Sequence, residues 1–510
     1  MPISNAPPPR EADAGLITPS KIIRDHLVEE GIFQSDPRSQ GASKPSDSIS
    51  ADAISDGGNA RWRIAVRPFH ISQNAFQFLE SLGAHLLSFY QVANRLYFES
   101  VRGQAPGWVA DYLDQGKPES VVALGRMNRF KQELPGIIRP DLIPGDTGMM
   151  ATELDAVPGG VGLTAMFQDV YSPFLDKGER MIGQTEGMVE GFERMIRSLS
   201  PKKNPCLVIA ISDESRAYRS EMAWLAERLR GRGLSCFLAA PGEVQFSEEG
   251  LSIKREGREY LIDILYRFFE LFDLKNIPKS ELILYAAKKK KVILTPPPKA
   301  YLEEKSLFAL FHHPVLRVYW QSHLGEQAWE VLKDLFPKTW MLDPRVTPPH
   351  AIIPDLKVDD RPVSDFRALG RTTQKGRRYV VKPSGFSNLA WGSRGVSVGH
   401  DLSEARWAAV IDEALEHFQT TPHILQAFHK GKKMTVEYYD DRSDRLVRME
   451  GRTRLSPYYF VSGQKVCLGG VLATVCSLEK KLIHGMVDAV MAPCAVSAPL
   501  SKTLATRSAD

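Results

Sequence analysis

The sequence, 510 residues long, contains no long apolar segment. No stretch of 18 apolar residues occurs without a charged residue, whereas a membrane-spanning helix needs about 20. The first thirty residues combine prolines with charged residues and lack the apolar core of a secretory signal. We therefore expect a cytoplasmic protein without a membrane partner.

Cysteine is scarce, and neither sign of charge is in large excess. The five cysteines are odd in number, and their spacing matches neither a CxxC motif, a zinc ribbon nor a disulfide framework, which favours a reducing compartment. The 65 Lys and Arg residues against 61 Asp and Glu residues give a net charge of +4. This balance gives no reason to expect nucleic acid as a partner.

The chain also lacks the most specific phosphate-binding sequences. No glycine-rich loop fits GxxxxGKS, and no GxGxxG follows the apolar run at 206–212. An NAD-dependent oxidoreductase built on that run is therefore disfavoured. What the chain does have is the composition of a globular protein, since 43% of its residues are apolar and 25% are charged.

We predict a mixed α/β (α+β) fold and divide the chain by composition and pattern. The N-terminal part is rich in Ser, Pro, Asp, Gly and Ala, and its one candidate helix is at 22–33. Order begins near Arg61, and residues 76–101 have the apolar spacing of a core helix. The predicted segments are a disordered arm at 1–60, a helical part with paired strands at 61–200, a small doubly wound unit at 201–330, mixed lobes at 331–495 and a flexible tail at 496–510.

The segment 205–298 has the pattern of parallel strands joined by helices. Apolar runs flank two stretches of helical character, at 215–233 and 260–274. Alternation of this kind predicts a small doubly wound sheet. The four lysines at 288–291 are expected to be the solvated end of a helix, the alternative being a nuclear or nucleic-acid signal.

Two short strand-like runs, joined by a turn at 145–148, predict a β-hairpin. Arg139 and Asp141 are two residues apart and share one face of their strand, as do Glu153 and Asp155 on the next. If the strands pair, three carboxylates and one guanidinium gather on one surface. Such carboxylates repel one another unless a cation lies among them, which suggests Mg²⁺ bound with a nucleotide. The alternative is an exposed, charged sheet face.

Lys382 ends an apolar strand and is followed by a loop rich in Gly and Ser. Glycines allow backbone N–H groups to approach phosphates closely, and an ammonium group beside them neutralises phosphate charge. The segment therefore suggests a nucleotide phosphate site. The alternative is a flexible hairpin loop.

Together these motifs resemble the circularly permuted branch of the ATP-grasp superfamily, which includes the synthetase domain of glutathionylspermidine synthetase. The segments that carry the resemblance are RPDL, ELDAVPGG, VVKPSG and WGSRGV, in that order along the chain. The family has an Arg-x-Asp and, twelve residues after that Asp, a Glu-x-Asn; here Asp141 is followed at that spacing by Glu153. The resemblance implies a permuted ATP-grasp fold with 201–330 as its pre-ATP-grasp unit and 331–495 as its nucleotide-binding lobes.

The resemblance also implies roles for individual residues. It makes Asp141, Glu153 and Asp155 ligands of Mg²⁺, and Arg139 the catalytic group that stabilises either the transferring phosphoryl group or the acyl phosphate. The residues implied to bind ATP are Lys382, Ser384, Gly385, Gly392, Ser393, Arg394 and Gly395 around the glycine loop, and Gln426, Ala427 and Phe428 in a hinge strand at the adenine. The implied activity joins a small-molecule or peptide carboxylate to an amine through an acyl phosphate, releasing ADP and phosphate.

The chain departs from the family pattern at several points. Asp155 stands where the family usually has Asn. A second nucleotide lysine, expected about 35 residues before the KP motif, is replaced by Thr347, and Arg345 and Lys338 are the candidates to substitute for it. The family's extra amidase domain is absent as well.

Two alternatives follow from these departures. The missing lysine favours a nucleotide-binding pseudoenzyme or scaffold, whereas the retained carboxylates favour the ligase.

Arg452 and Arg454 share one face of a predicted strand. They either clamp a phosphate or acidic substrate, or pair with acidic neighbours such as Glu437 or Glu450.

Overall fold

The computed structural model describes residues 11–31 and 61–497, apart from residues 185, 346–347, 349–350, 391, 393, 442, 481 and 484–486. Its helices are α1 (Glu11–Glu29), α2 (Gln73–Val101), α3 (Trp108–Asp114), α4 (Glu119–Gly125), α5 (Val161–Tyr171), α6 (Gly187–Leu199), α7 (Arg219–Gly231), α8 (Ser280–Lys288), α9 (Ser306–His312), α10 (Arg317–Leu324), α11 (Glu326–Leu335) and α12 (Glu404–Glu416). None of these helices combines the length and the apolar character needed to cross a bilayer.

The strands, in chain order, are β1 (Arg61–Ile64), β2 (Phe69–Ile71), β3 (Ile137–Pro144), β4 (Met149–Asp155), β5 (Arg180–Met181), β6 (Leu207–Ile211), β7 (Cys236–Ala239), β8 (Gln245–Phe246), β9 (Leu251–Arg255), β10 (Arg258–Leu261), β11 (Ile264–Phe268), β12 (Ile293–Thr295), β13 (Thr339–Met341), β14 (Lys357–Val358), β15 (Arg361–Pro362), β16 (Tyr379–Pro383), β17 (Ser397–Val398), β18 (His423–Ala427), β19 (Lys433–Asp440), β20 (Arg445–Ser462), β21 (Lys465–Ser477) and β22 (Val487–Val496). The predicted mixed α/β class is confirmed.

The largest sheet is built around the long strands β20, β21 and β22. Its order is β1-β22-β21-β20-β3-β4, with β19 also on β20 and with β2 and β5 on β22. β3 and β19 lie end to end on one edge of β20, because β19 pairs with residues 445–452 and β3 with residues 455–460. Side chains of β20 alternate between faces: Tyr459 packs in the core with α2, and Tyr458 packs in the core with α5 and α6. The predicted core helix at 76–101 is confirmed by α2.

A separate parallel sheet has the order β12-β11-β6-β7. Met222 of α7 packs on one of its faces and Ile283 of α8 on the other, so the helices cover both faces, as a doubly wound unit requires. The expected helix at 260–274 is wrong, because β11 lies there. All five residues of β11 are buried, and a strand that is apolar on both faces shows no alternation to distinguish it from a buried helix.

A second small sheet, of order β13-β18-β16-β17, is antiparallel. Val381 of β16 and Leu425 of β18 face α12, where they pack with Trp407. The neighbouring residues on these strands, Lys382 and Gln426, therefore face the opposite side.

The expectation of a disordered arm is wrong for residues 11–29, which form α1. Ile23 and Leu27 of this helix are completely buried, and Arg24 forms an ion pair with Asp441 at 2.7 Å. Residues 1–10 and 32–60 lie outside the described part of the chain. At the other end, Val496 is buried at the end of β22, so the expected flexible tail does not begin there; residues 498–510 also lie outside the described part.

Candidate functional site

The predicted hairpin is confirmed by the antiparallel pairing of β3 with β4. Arg139 lies opposite Asp155, and Asp141 lies opposite Glu153, with a register shift directly after Asp141. The four residues that the sequence placed on one surface are therefore neighbours in the folded chain.

Arg139 is the centre of the ion pairs on this hairpin. Its Nε lies 3.2 Å from Asp141 Oδ1, its Nη2 lies 3.0 Å from Asp155 Oδ2, and its Nη1 donates to the carbonyl of Gly159 at 3.2 Å. Burial opposes the charged guanidinium, but the two carboxylates outweigh burial and raise the pKa of Arg139. The group stays charged, and its orientation is fixed by three contacts.

Asp141 is enclosed by partners from β3 and β20. In addition to Arg139, Arg454 Nη1 lies 3.0 Å from Asp141 Oδ2, and Ser456 Oγ donates to Oδ1 at 3.0 Å. Burial alone would raise the pKa of Asp141, but the two arginines outweigh it and lower the pKa. Arg454 thus pairs with an acidic neighbour, as one of its two predicted roles requires, although that neighbour is Asp141 on β3.

Glu153 and Asp155 are more open to solvent, with side chains 35% and 27% exposed. Glu153 pairs with Lys305 at 2.8 Å, and Asp155 accepts a hydrogen bond from the backbone N–H of Val157 at 2.9 Å. Burial raises the pKa of Asp155, although Arg139 opposes that shift.

The cations that balance these three carboxylates come from the protein, which corrects the expectation that a bound metal is needed to hold them together. Within the described ranges, no group of three or more His, Cys, Asp or Glu residues is arranged to hold a metal ion.

Lys382 links the second small sheet to the hairpin. Its Nζ donates to the carbonyl of Thr152 on β4 at 3.0 Å and to Gln426 Oε1 at 2.9 Å. Burial lowers the pKa of Lys382 to about 8, although Glu153 opposes the shift. The structure therefore brings the predicted phosphate lysine beside the predicted metal ligands.

The predicted adenine hinge lies next to Lys382. Gln426 Nε2 donates to Thr339 Oγ1 at 3.3 Å, and the backbone N–H groups of Ala427 and Phe428 donate to the carbonyls of Lys338 and Arg378, at 2.8 and 2.9 Å. The backbone N–H groups of Ala427 and Phe428 thus have protein acceptors.

The glycine loop after Lys382 is held partly by residues that the sequence did not single out. The N–H of Gly385 donates to Glu304 Oε2 at 3.0 Å, and Gly385 packs so closely on Glu303 that a Cβ would lie 1.9 Å from its carbonyl oxygen. Arg394 pairs with Glu214 at 3.1 Å. Ser384 is buried, Gly392 has a φ of +63° and Gly395 donates to the Leu389 carbonyl at 2.9 Å; Ser393 lies outside the described residues.

Three consecutive residues missed by sequence reasoning, Glu303, Glu304 and Lys305, connect the parts of this region. Glu303 pairs with Arg267 of the parallel sheet, Glu304 with Lys117 after α3, and Lys305 with Glu153 of the hairpin. Their only signal in the sequence is a run of three charges directly before an apolar helix. Such a run is usually solvated, whereas Glu304 and Lys305 are buried.

The two candidates for the missing second lysine form their ion pairs away from the hairpin and Lys382. Lys338 pairs with Asp355, and Arg345 pairs with Asp343. Both line a cavity of about 780 Å³ whose lining includes none of the predicted ATP-binding residues. Thr347 lies outside the described residues. Another cavity, of about 880 Å³, lies along α2 and is likewise separate from Lys382.

Comparison with known proteins gives a similarity of fold. No family model and no curated protein matches the chain. A candidate gamma-glutamylcysteine synthetase from Methylobacillus flagellatus KT covers 79% of this chain and 86% of that one at 12% identity, but its TM-score of 0.38 is too low to support an argument. A glutathione synthetase-like effector from Globodera pallida, solved in its apoform, covers 95% of this chain and 98% of that one, at 11% identity and a TM-score of 0.53. The chain therefore shares its fold with that synthetase-like effector.

Proposed function

We propose that this protein is an ATP-dependent ligase that joins a carboxylate to an amine through an acyl phosphate, on a circularly permuted ATP-grasp fold. The observation that carries the proposal is the bond from Lys382 Nζ to the Thr152 carbonyl, directly beside Glu153. Two motifs separated by 230 positions in the chain thereby form one surface. The fold shared with a protein named as glutathione synthetase-like agrees with a synthetase.

Mg²⁺ fits part of the predicted ligand set. A Mg²⁺ ion that accompanies a nucleotide usually takes one or two protein carboxylates, with phosphates and water completing its shell. Glu153 and Asp155 are partly exposed and supply such oxygens. Asp141 is only 6% exposed, and both of its oxygens already have partners. We therefore propose Glu153 and Asp155 as the metal ligands, with Asp141 as the residue that orients Arg139 and Arg454.

The residue types suit phosphoryl transfer followed by amide formation. A carboxylate oxygen of the first substrate attacks the γ-phosphorus and ADP leaves; the amine then attacks the acyl carbon and phosphate leaves. Arg139 and Lys382 provide positive charge where negative charge accumulates on the transferring group. Mg²⁺, when bound with ATP, supplies further neutralising charge. No side-chain nucleophile is required, because positioning and electrostatics are sufficient for this chemistry.

A nucleotide-binding scaffold without turnover is the alternative function. It is favoured by the missing second lysine, because the candidates Lys338 and Arg345 form ion pairs with Asp355 and Asp343. The scaffold and the ligase predict the same ATP binding, and they differ in whether ADP forms.

The experiment that tests the proposal measures ATP binding and ADP release separately. Calorimetry with Mg²⁺ and ATP establishes binding, and an ADP-release screen against amino acids, small peptides and polyamines then searches for a carboxylate and an amine that are consumed together. The proposal expects repeated turnover with ADP release only when both substrates are present. Binding without ADP for any pair would favour the scaffold, and absence of ATP binding would contradict both functions.

A further inference from the structure

We infer that Lys305 supplies the second ammonium group for the triphosphate of ATP, in place of the lysine that is missing before the KP motif. The inference rests on the proposed function, because it assigns a further phosphate-binding residue to the same site. Lys305 is not one of the sequence-based candidates, Arg345 and Lys338, whose side chains line a separate cavity.

The position of Lys305 is the first argument. Lys305 directly precedes α9, and its side chain is only 8% exposed. Its Nζ lies 2.8 Å from Glu153 Oε1 and donates to the carbonyl of Ala390 at 3.2 Å. Glu153 belongs to the hairpin, and Ala390 belongs to the glycine loop predicted to bind the phosphates. One ammonium group thus contacts both elements between which the triphosphate is proposed to bind.

The charge of the site is the second argument. Both ammonium groups lie beside consecutive residues of β4, since Lys382 Nζ donates to the Thr152 carbonyl at 3.0 Å and Lys305 Nζ lies 2.8 Å from Glu153 Oε1. The Lys305 side chain is only 8% exposed, and its ammonium group has the Glu153 carboxylate 2.8 Å away as its charged partner. Two adjacent cations beside a glycine loop favour an anion with several charges, and a triphosphate is such an anion.

The anchoring of Lys305 is the third argument. Glu304, the preceding residue, pairs with Lys117 and accepts the Gly385 N–H, and Glu303 pairs with Arg267. These contacts fix the backbone of Lys305 to the glycine loop and to the parallel sheet. Its long side chain is then free to exchange the Glu153 carboxylate for a phosphate oxygen. The exchange also frees Glu153 for its proposed role as a metal ligand.

The test compares nucleotide binding by Lys305→Met with binding by the wild-type protein. Affinity for ATP is measured by calorimetry with Mg²⁺, and affinity for adenosine, which has no phosphate, is measured by competition. Lys375→Met is the matched control, because it removes an exposed lysine that has no predicted role in nucleotide binding. A charge-assisted contact to phosphate corresponds to about a tenfold to a hundredfold change in affinity.

We expect Lys305→Met to weaken ATP binding by about tenfold to a hundredfold, while its adenosine binding and the ATP binding of the Lys375→Met control stay within about twofold of wild type. Lys305→Arg should recover part of the ATP affinity, since it restores the charge. If Lys305→Met does not fold, Lys305→Gln carries the same comparison, because it removes the charge and keeps a polar end that donates hydrogen bonds.

Equal loss of ATP and adenosine affinity would assign Lys305 a structural role and overturn the inference. Unchanged ATP affinity in the folded variant would overturn it as well, while leaving the ligase proposal intact. A wild-type protein that binds no ATP would refute the proposed function itself, and the inference with it.

Discussion

The carboxylate of Glu221 accepts a hydrogen bond from the backbone N–H of Gly160 at 2.7 Å. The same carboxylate accepts the N–H of Leu163 at 2.8 Å, so a side chain of α7 satisfies donors in the first turn of α5. Gly162 packs so closely on Glu221 that a Cβ there would lie 2.0 Å from the Glu221 carbonyl oxygen. These contacts fix the segment that follows the hairpin to the parallel-sheet unit.

Glu221 should make stability depend on pH. Burial raises its pKa from an ordinary value of 4.5 to about 7. Between these two values the folded protein holds a proton that the unfolded chain has lost, so the contribution of Glu221 to stability falls as pH rises through this window and is constant above it. We expect Glu221→Gln to remove this decline, measured as the difference in Tm between variant and wild type at pH 5, 6, 7 and 8. If the Tm difference between the two proteins stays constant from pH 5 to pH 8, Glu221 is ionised over that whole range and the prediction is wrong.

Lys382→Ala should weaken Mg²⁺-dependent ATP binding by about 1.5 to 3 kcal/mol, the size of one charge-assisted contact. Because burial lowers the pKa of Lys382 to about 8, the wild-type affinity should also fall as pH rises from 7 to 9.5, whereas the variant should lack this component. Lys375→Ala, at an exposed position in the same lobe, is the control. Calorimetry that gives equal affinities for Lys382→Ala and wild type would remove Lys382 from the site.

Glu153→Gln should separate binding from turnover. Lys382 and the hinge hold the nucleotide in the ground state, whereas Glu153 acts mainly on charge that develops during transfer. We expect ATP affinity within about tenfold of wild type and ADP formation lower by at least about a hundredfold. Glu437→Gln, at an exposed position on β19, is the control. Normal turnover in Glu153→Gln would leave the hairpin as an ordinary charged sheet face.

The same variant should lose thermal stability, because Lys305 is buried and loses the carboxylate that balances its charge. The sequence alone suggests repulsion among three crowded carboxylates, and relief of that repulsion would raise the Tm of the variant instead. A higher Tm for Glu153→Gln in the absence of Mg²⁺ would indicate that repulsion outweighs the Lys305 pair.

The docking of α1 should contribute measurably to stability. Ile23 and Leu27 are completely buried, so Ile23→Ala should cost about 2 to 5 kcal/mol. Ile22→Ala is the matched control, since Ile22 is 52% exposed and should change stability by less than about 0.5 kcal/mol. The measurement is denaturant unfolding of both full-length variants. Equal stabilities would mean that α1 does not pack against the core in solution.

Local pattern was sufficient for much of the fold. The alternation of residues along β3 and β4 predicted a hairpin with Arg139, Asp141, Glu153 and Asp155 on one surface, and the structure has this pairing. The apolar spacing of α2 predicted a core helix. Such patterns succeed because side-chain direction in a helix or strand depends on positions only a few residues apart. The pattern failed at β11, where both faces are buried, and at α1, where Ile23 and Leu27 are too few buried apolar side chains to give a clear pattern.

Only the tertiary structure decided what balances the charges at the site. Asp141 accepts a hydrogen bond from Ser456, which lies 315 positions later in the chain. Glu153 pairs with Lys305, which follows the parallel-sheet unit in the chain. No spacing rule predicts such partners, because they depend on the path of the chain between them. The sequence by itself determined which charged residues share the hairpin surface, since alternation along a strand is local. The fold decided that protein cations pair with those carboxylates, because ion pairs form between the groups that the packing of distant elements brings within reach.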